Sequence, residues 1–157
     1  MRLLVLGIAM LFIAAAASAQ TIGGNIYLNN FKSGATFKEL SPVQLFKQFK
    51  DNKISLGFTL KSNSEIVLFD MKTTVKHKGA VINSSTRPGW PWLPGDMYVP
   101  AEAFDFIPML QKLMARGTPT VTFLPAGEYE IIMQMVPSAG QDVKGSIMPA
   151  TLKFTVQ

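Results

Sequence analysis

The chain has 157 residues, of which 48% are hydrophobic, and it contains no cysteine. The absence of cysteine excludes a disulfide framework, a thiolate nucleophile and cysteine–metal sites. The formal net charge is +5, but the lysines are scattered and form no basic stripe, so nucleic-acid binding is excluded as a function. An anionic membrane surface remains an expected partner for a basic chain of this kind.

Residues 1–19 have the three parts of a secretory signal peptide. Arg2 supplies the positive start, residues 3–17 form an uncharged apolar run, and Ala17-Ser18-Ala19 offers a small-residue cleavage site. The apolar run is shorter than the roughly 20 residues of a membrane span, so cleavage is preferred over an uncleaved anchor. We expect a secreted or extracellular protein, periplasmic if the source is bacterial, whose mature chain is one domain of residues 20–157.

The first half of the mature chain predicts strands around one helix. Residues 25–28 predict a short strand. Ser41-Pro42 predicts the start of a helix that runs to about Lys50, with serine as the N-cap and proline in the first helical position. Alternating apolar residues predict strands at 53–60 and 65–78, which the polar turn between them joins as a hairpin.

Two side chains near the end of this hairpin are candidates for chemistry. His77 lies between Lys76 and Lys78, and lysine neighbours disfavour a metal cation, so we interpret it as a solvated strand-end residue. Gly79 begins a further turn. Asn83-Ser84-Ser85 matches the acceptor triplet for N-glycosylation if the source is eukaryotic.

Residues 87–100 are the least regular part of the sequence. They contain four prolines, two glycines, both tryptophans and a tyrosine. This composition predicts an irregular insert without regular structure over most of its length. Residues 101–114 then predict a short helix that either kinks or begins at Pro108.

Three acidic residues lie close together beside this insert: Asp96, Glu102 and Asp105. They could form an acid pair or a calcium site, which would suit a hydrolase. A turn at Asp96 and the first turn of the helix, where the dipole favours acids, explain all three without chemistry. No nucleophile motif or phosphate loop is visible. The protein is therefore predicted not to be an enzyme and to need no metal or cofactor.

The stretch around which the chain is organised is 120–136, which predicts a short strand, a turn at Pro125-Ala126-Gly127 and a longer strand. Past the turn the apolar residues alternate, and the opposite face is also partly apolar, which places the strand centrally in a sheet. The core-facing set is Tyr129, Ile131, Met133 and Met135. Residues 138–146 predict a polar loop, and 151–157 predict the final strand.

Together these elements give six or seven strands with one or two short helical inserts. Strand and turn signals at this spacing predict a mainly β fold, an immunoglobulin-like antiparallel β-sandwich. No alternation of strands and helices typical of a parallel sheet is visible.

Three segments carry a resemblance to a known family: 98–100 (Tyr-Val-Pro), 124–131 (Leu-Pro-Ala-Gly-Glu-Tyr-Glu-Ile) and 152–156 (Leu-Lys-Phe-Thr-Val). In these the chain resembles the ML-domain lipid-recognition β-sandwich family, in particular its ganglioside-activator-like branch, although it lacks the cysteines of that family. The resemblance implies an exported single domain that holds a lipid between two sheets and performs no chemistry. The same Leu-Pro-x-Gly-x-Tyr pattern is common in immunoglobulin-like modules, where the tyrosine bonds back to the backbone as a corner.

The apolar insert and the methionines of the central strand make up the candidate ligand site, since ligand sites are concave, aromatic-lined and carried on loops. Its predicted residues are Trp90, Trp92, Leu93, Met97, Tyr98, Phe104, Phe106, Ile107, Leu110, Met133 and Met135. A structural mini-core is the equal alternative for the insert. Trp90 follows a glycine and is assigned to the core, whereas Trp92, which stands between Pro91 and Leu93, is assigned to a ligand mouth.

The resulting functional hypothesis is a secreted, non-enzymatic protein that binds a hydrophobic ligand, with lipid as the first expectation. The ligand would lie between two sheets or under the Trp/Pro-rich insert. The alternative is an extracellular or envelope interaction module with a solid core, which recognises a protein partner through its loops.

Overall fold

A computed structural model describes residues 20–51, 55–62, 66–92, 95–99, 106–115 and 123–157. These residues form nine strands and two helices. In chain order the elements are β1 (Gln20–Asn29), β2 (Ala35–Phe37), α1 (Pro42–Asp51), β3 (Ser55–Ser62), β4 (Val67–His77), β5 (Ala80–Trp92), β6 (Gly95–Val99), α2 (Phe106–Ala115), β7 (Gly127–Pro137), β8 (Val143–Met148) and β9 (Ala150–Val156). The predicted signal peptide, residues 1–19, lies outside this part of the chain.

The strands form two sheets, which confirms the predicted mainly β, two-sheet fold class with short helical inserts. The four-stranded sheet has the order β6-β3-β1-β8, and the five-stranded sheet has the order β2-β9-β7-β4-β5. Most neighbouring strands are antiparallel, as expected for a sandwich. Two pairs at the sheet edges, β1 with β8 and β2 with β9, are parallel instead.

Strand β7 lies in the middle of the five-stranded sheet, between β9 and β4, as predicted. Its residues alternate between buried and half-buried positions, and the buried ones are Tyr129, Ile131, Met133 and Met135. Strands β4 and β9 alternate in the same register on either side. Period-two patterning therefore gives one continuous apolar face across three strands.

The hydrophobic core lies on this face and takes in residues from both sheets and both helices. Ile22 and Ile26 come from β1, Leu45 comes from α1, and Leu110 comes from α2. Full burial of a side chain of this size stabilises the fold by roughly 1.5–3 kcal/mol. Since the chain has no cysteine, these contacts take the place that disulfides hold in many exported domains.

The start of helix α1 is as predicted. Ser41 Oγ accepts a hydrogen bond of 3.1 Å from the Gln44 backbone N–H, and Gln44 Oε1 accepts one of 2.6 Å from the Ser41 backbone N–H. This reciprocal pair is a capping box. The second helix begins at Phe106, so Pro108 lies in its first turn, where a missing N–H costs nothing.

The hairpin predicted between 53–60 and 65–78 is wrong. Strand β3 belongs to the four-stranded sheet and β4 to the five-stranded sheet, so the connection crosses between sheets. Strand β4 instead forms a hairpin with β5 through the turn at Lys78 and Gly79, both of which have positive φ angles, 50° and 80°. Alternation places a strand locally but does not select its partner.

The insert predicted as irregular is largely strand. Strand β5 continues through Pro88 and Pro91 to Trp92, and β6 resumes at Gly95. Both strands are sheet edges, where proline is tolerated because its missing N–H would face solvent. A register shift opposite Phe69 and Met71 forms a bulge in β5, and Gly89 within it has a φ angle of 69°.

Besides β5 and β6, for which no strand was predicted, three further strands were missed or predicted too short. Residues 25–28 are part of the longer strand β1, β2 was missed, and the loop predicted at 138–146 overlaps the first part of β8. Strand β8 does not alternate, and it pairs with β1 along a parallel register. Of the short strand predicted after residue 120, residues 123–126 are not in a strand, and 120–122 lie outside the described residues.

Candidate functional site

The core of the sandwich reaches solvent at Trp90, on the edge strand β5. Trp90 pairs directly with Phe69 of β4, so both side chains leave the sheet on the same face. Phe69 is fully buried, whereas Trp90 is 37% exposed. The assignment of Trp90 to a buried core is therefore wrong. It stands at the rim, because β5 is the last strand of the five-stranded sheet among the residues that the structure describes.

Helix α2 packs against the edge of the same sheet. It contacts β4, β5 and α1. Its buried side chains, Ile107, Met109 and Leu110, belong to the same hydrophobic cluster as Phe69. A ten-residue helix thus packs against the edge strand that carries Trp90.

Methionine is concentrated under this end of the sandwich. Met71 of β4 pairs directly with Met135 of β7, and Met133 lies two residues earlier on the same face. Met109 of α2 is buried in the same cluster. Methionine is unbranched and adapts to irregular apolar volumes, so this part of the core can change shape more readily than one built of β-branched residues.

Several predicted site residues meet here, and others fall on the opposite sheet. Backbone register places Trp92 opposite Val67, while Met97 and Tyr98 lie on β6, opposite Phe58 and Gly57 of β3. The chain therefore passes from the edge of one sheet to the edge of the other. Phe106 is the first residue of α2, and Leu93 and Phe104 lie outside the described residues.

A polar row on β5, which the sequence analysis missed, borders the same rim. It consists of Asn83, Ser85 and Arg87, which pair directly with Val75, Thr73 and Met71 on the core side of β4. All three are half-buried, whereas the intervening Ser84 and Thr86 are exposed. The period-two alternation of β5 was the available signal, but the sequence showed only a glycosylation triplet there.

The structure describes one residue of the acidic cluster, and it describes His77. Asp96 lies in strand β6, opposite Thr59, and not in the predicted turn; Glu102 and Asp105 lie outside the described residues. His77 Nε2 is 3.1 Å from the Ala126 carbonyl oxygen, and the imidazole stacks on Tyr129 with ring centroids 4.6 Å apart. His77 is therefore a packed residue and not merely a solvated one.

The outer face of the five-stranded sheet is charged. Glu130 forms ion pairs with Lys76 at 3.1 Å and with Lys153 at 3.5 Å. The hydrogen bond from Lys76, aided by Lys153, holds the pKa of Glu130 below its ordinary value. These residues line a depression of about 300 Å³. Its lysine–glutamate network separates it chemically from the apolar rim at Trp90.

Within the described ranges, no group of three or more histidine, cysteine, aspartate or glutamate side chains is placed to hold a metal ion. No helix in the part of the chain that the structure covers is long and apolar enough to cross a membrane. In comparisons with known proteins, no family and no curated sequence matches this chain.

Proposed function

We propose that this protein is an exported, non-enzymatic binding protein for a hydrophobic ligand, and that the ligand is a lipid. One observation carries the proposal: buried Phe69 and 37%-exposed Trp90 form a cross-strand pair on the edge strand β5, which helix α2 contacts. The hydrocarbon part of the ligand enters between α2 and β5. The resemblance to the ML-domain family, carried by residues 124–131 and 152–156, supports the same function.

Moving a helix to admit a ligand costs less free energy than separating two paired strands. Opening a boundary between two strands breaks a row of backbone hydrogen bonds, whereas moving α2 breaks side-chain contacts and leaves its internal hydrogen bonds intact. Each methylene group of a ligand that enters the core contributes about 0.8 kcal/mol. A chain of about ten methylenes therefore offsets the separation of several apolar contacts under α2.

The residues on either side of the entrance suit this role. The exposed Trp90 presents a large flat ring at the rim, and tryptophan is favoured where one side is apolar and the other is wet. Met71, Met109 and Met135 line the core beneath, where their flexible side chains can move aside for a hydrocarbon chain.

Ligand binding is tested with wild-type protein and two single variants. We expect native mass spectrometry of protein from its source to detect bound lipid, and we expect uptake of a fluorescent fatty acid by the delipidated protein. Trp90→Ala should reduce uptake several-fold with little change in melting temperature, because the ring is partly exposed. Val81→Ala is the matched control, since Val81 lies on the same strand, pairs with Lys76 on the outer face and is 61% exposed.

Two results would contradict the proposal. One is wild-type protein that carries no lipid from its source and takes up no probe. The other is a Trp90→Ala variant that takes up the probe normally but melts far lower, because truncation of a core aromatic costs about 3–5 kcal/mol. That second result would assign the rim to a structural mini-core.

The alternative function, a protein-interaction module, is favoured by a different feature of β5. Its first seven residues, 80–86, contain neither proline nor a charged side chain, and they lie at a sheet edge. Such an edge can accept an added strand from a partner. Absence of lipid uptake, together with hydrogen-exchange protection of residues 80–86 when a partner is added, would favour this function.

A further inference from the structure

We propose that the ligand is an anionic amphiphile whose acidic headgroup binds the polar row of Asn83, Ser85 and Arg87 while its hydrocarbon chain passes Trp90 into the core. This inference rests on the proposed lipid-binding function and adds the chemical class of the ligand. The shared chemistry is a negatively charged oxygen headgroup on a hydrocarbon chain, as in a fatty acid or an anionic phospholipid.

Strand register places the polar row on the core side of β5. Asn83 pairs with Val75, Ser85 with Thr73 and Arg87 with Met71. Directly opposite residues in an antiparallel pair share a face. Val75, Thr73 and Met71 are each no more than 2% exposed, so the side chains of the row point toward the interior of the sandwich from its last strand.

The side chains on the core side of β5 change from polar to apolar along the strand. Thr73, opposite Ser85, is the one buried polar residue among those whose side chains the structure describes. On the same face, the next pair along β5 beyond the row is Trp90 with Phe69. A ligand that follows the edge of the sheet therefore meets amide and hydroxyl groups, then a guanidinium, then aromatic and methionine side chains. This order matches the polar head and apolar tail of an amphiphile.

The positive charge of the polar row favours a negatively charged headgroup. Arg87 carries the only charge of the row, and the three residues opposite the row are all uncharged. Two carboxylates of the same sheet are engaged elsewhere: Asp70 Oδ1 accepts hydrogen bonds from Gly89 and Ser138, and Glu130 is held by two lysines.

Arg87 can also serve a headgroup alongside its contacts within the protein. It has at least one interaction with the rest of the chain. The guanidinium has five N–H donors in a planar fork that suits carboxylate and phosphate oxygens. A carboxylate or phosphate headgroup therefore needs only some of these N–H donors, and the others can keep the contacts of Arg87 within the protein.

The spacing of the row suits a small headgroup. Residues two positions apart in a strand are about 6.6–6.8 Å apart along its axis. A carboxylate or phosphate between Ser85 and Arg87 can accept from the hydroxyl and the guanidinium together. Such charge-assisted hydrogen bonds in a partly desolvated position are stronger than neutral ones.

The test compares two probes that share one hydrocarbon chain and differ in headgroup charge: cis-parinaric acid and its methyl ester, each titrated into delipidated protein at neutral pH. We expect wild-type protein to bind the acid about ten-fold or more tightly than the ester, since charged hydrogen bonds carry this magnitude. Arg87→Gln should remove that preference by weakening the acid alone. Arg87→Lys should retain part of it.

The control for overall charge is Lys72→Gln. Lys72 lies on the neighbouring strand β4 and pairs with Thr86 on the opposite face of the sheet. This variant should keep the wild-type preference for the acid. If it loses the preference as Arg87→Gln does, general attraction by a basic protein explains the result and the headgroup site is overturned.

The outcomes separate this inference from the proposed function. If neither probe binds wild-type protein, lipid binding itself fails. If the acid and the ester bind equally well, lipid binding stands and the anionic headgroup site is overturned. Should Arg87→Gln not fold, the wild-type protein is titrated toward acid pH: loss of the preference as the probe is protonated supports the site, and its persistence overturns it.

Two vesicle arms identify the source of the headgroup. Delipidated protein is incubated with phosphatidylglycerol vesicles or with neutral phosphatidylcholine vesicles, and the lipid carried off by the protein is measured. Selective extraction of phosphatidylglycerol supports an anionic phospholipid as ligand. Acid-selective probe binding without vesicle extraction supports a free fatty acid. Equal extraction of both phospholipids overturns headgroup selection.

Discussion

The Tyr129 hydroxyl donates a hydrogen bond of 2.8 Å to the backbone carbonyl oxygen of Pro125, four residues earlier in the chain. The ring of Tyr129 is 2% exposed and lies between those of His77 and Phe154, with centroid separations of 4.6 and 5.0 Å. The turn before β7 is thereby fastened to the first core-facing residue of the strand. This bond confirms the corner expected from the sequence.

Removal of this hydroxyl should lower stability. We expect Tyr129→Phe to reduce the free energy of unfolding by about 1 kcal/mol or more, because the hydrogen bond is lost while the stacked ring remains. Urea unfolding followed by circular dichroism measures the change. An unaltered midpoint would show that Tyr129 contributes only through its ring contacts.

The same hydroxyl should make the protein sensitive to alkali. Burial raises the pKa of Tyr129 from 10.0 to about 12, because the folded state disfavours the phenolate. The stabilisation from this raised pKa is complete below pH 10 and is lost as the pH rises toward 12. Unfolding free energies measured at about pH 9 and about pH 12 should differ by less in Tyr129→Phe than in wild type.

Asp70 should contribute stability that is lost in acid. Its Oδ1 accepts hydrogen bonds of 2.6 Å from Ser138 Oγ and 3.2 Å from the Gly89 N–H. The Ser138 bond, followed by the Gly89 bond, lowers the pKa of Asp70 below 3.8. A lowered acid pKa stabilises the fold above the unfolded value, and this contribution is lost as the pH falls through the folded value.

Carboxyl titration by nuclear magnetic resonance checks the role of Ser138. Ser138→Ala should raise the pKa of Asp70 toward its ordinary value. Ser84→Ala, at an exposed position on β5, should leave that titration unchanged. If the Asp70 titration is the same in Ser138→Ala as in wild type, the hydrogen bond is not the cause of the lowered pKa.

Gly145 should resist substitution more strongly than other glycines with positive φ. Its φ angle is 99°, and a Cβ there would collide with the backbone carbonyl oxygen of Ile22 in the paired strand. We expect Gly145→Ala to cost at least about 2 kcal/mol. Gly140 has a φ angle of 83° with open space around it, so Gly140→Ala should cost only about 1 kcal/mol. Equal losses in thermal unfolding would contradict the close approach of β8 to β1.

Disruption of the capping box of α1 should lower the free energy of unfolding by a smaller amount. Ser41→Ala should lower the free energy of unfolding by about 1 kcal/mol, because the N–H of Gln44 loses its partner. Val43→Ala is the control within the same turn; Val43 is 66% exposed, and alanine has the higher helix propensity, so no loss is expected. A loss in the control as large as that in Ser41→Ala would assign the effect to general helix sensitivity.

The sequence by itself determined the features that depend on residues close together along the chain. Ser41-Pro42 specified the start of α1, because an N-cap and its partner lie within one turn of each other. The alternation after Gly127 specified both the core-facing side of β7 and the position of Tyr129. The mainly β class followed from several such local patterns, each of which needs no knowledge of its partner strand.

Only the tertiary structure decided which strands are neighbours and which are edges. The separation of β3 and β4 into different sheets, and the parallel pairing of β8 with β1, depend on contacts far apart in sequence. Edge position also explains why prolines 88 and 91 lie in a strand, since an edge residue needs no ladder partner on its outer side. Edge position also places Trp90, Ser85 and Arg87 beside the buried interior. Their side chains share a face with the core, yet β5 is the last strand of this sheet in the described part of the chain.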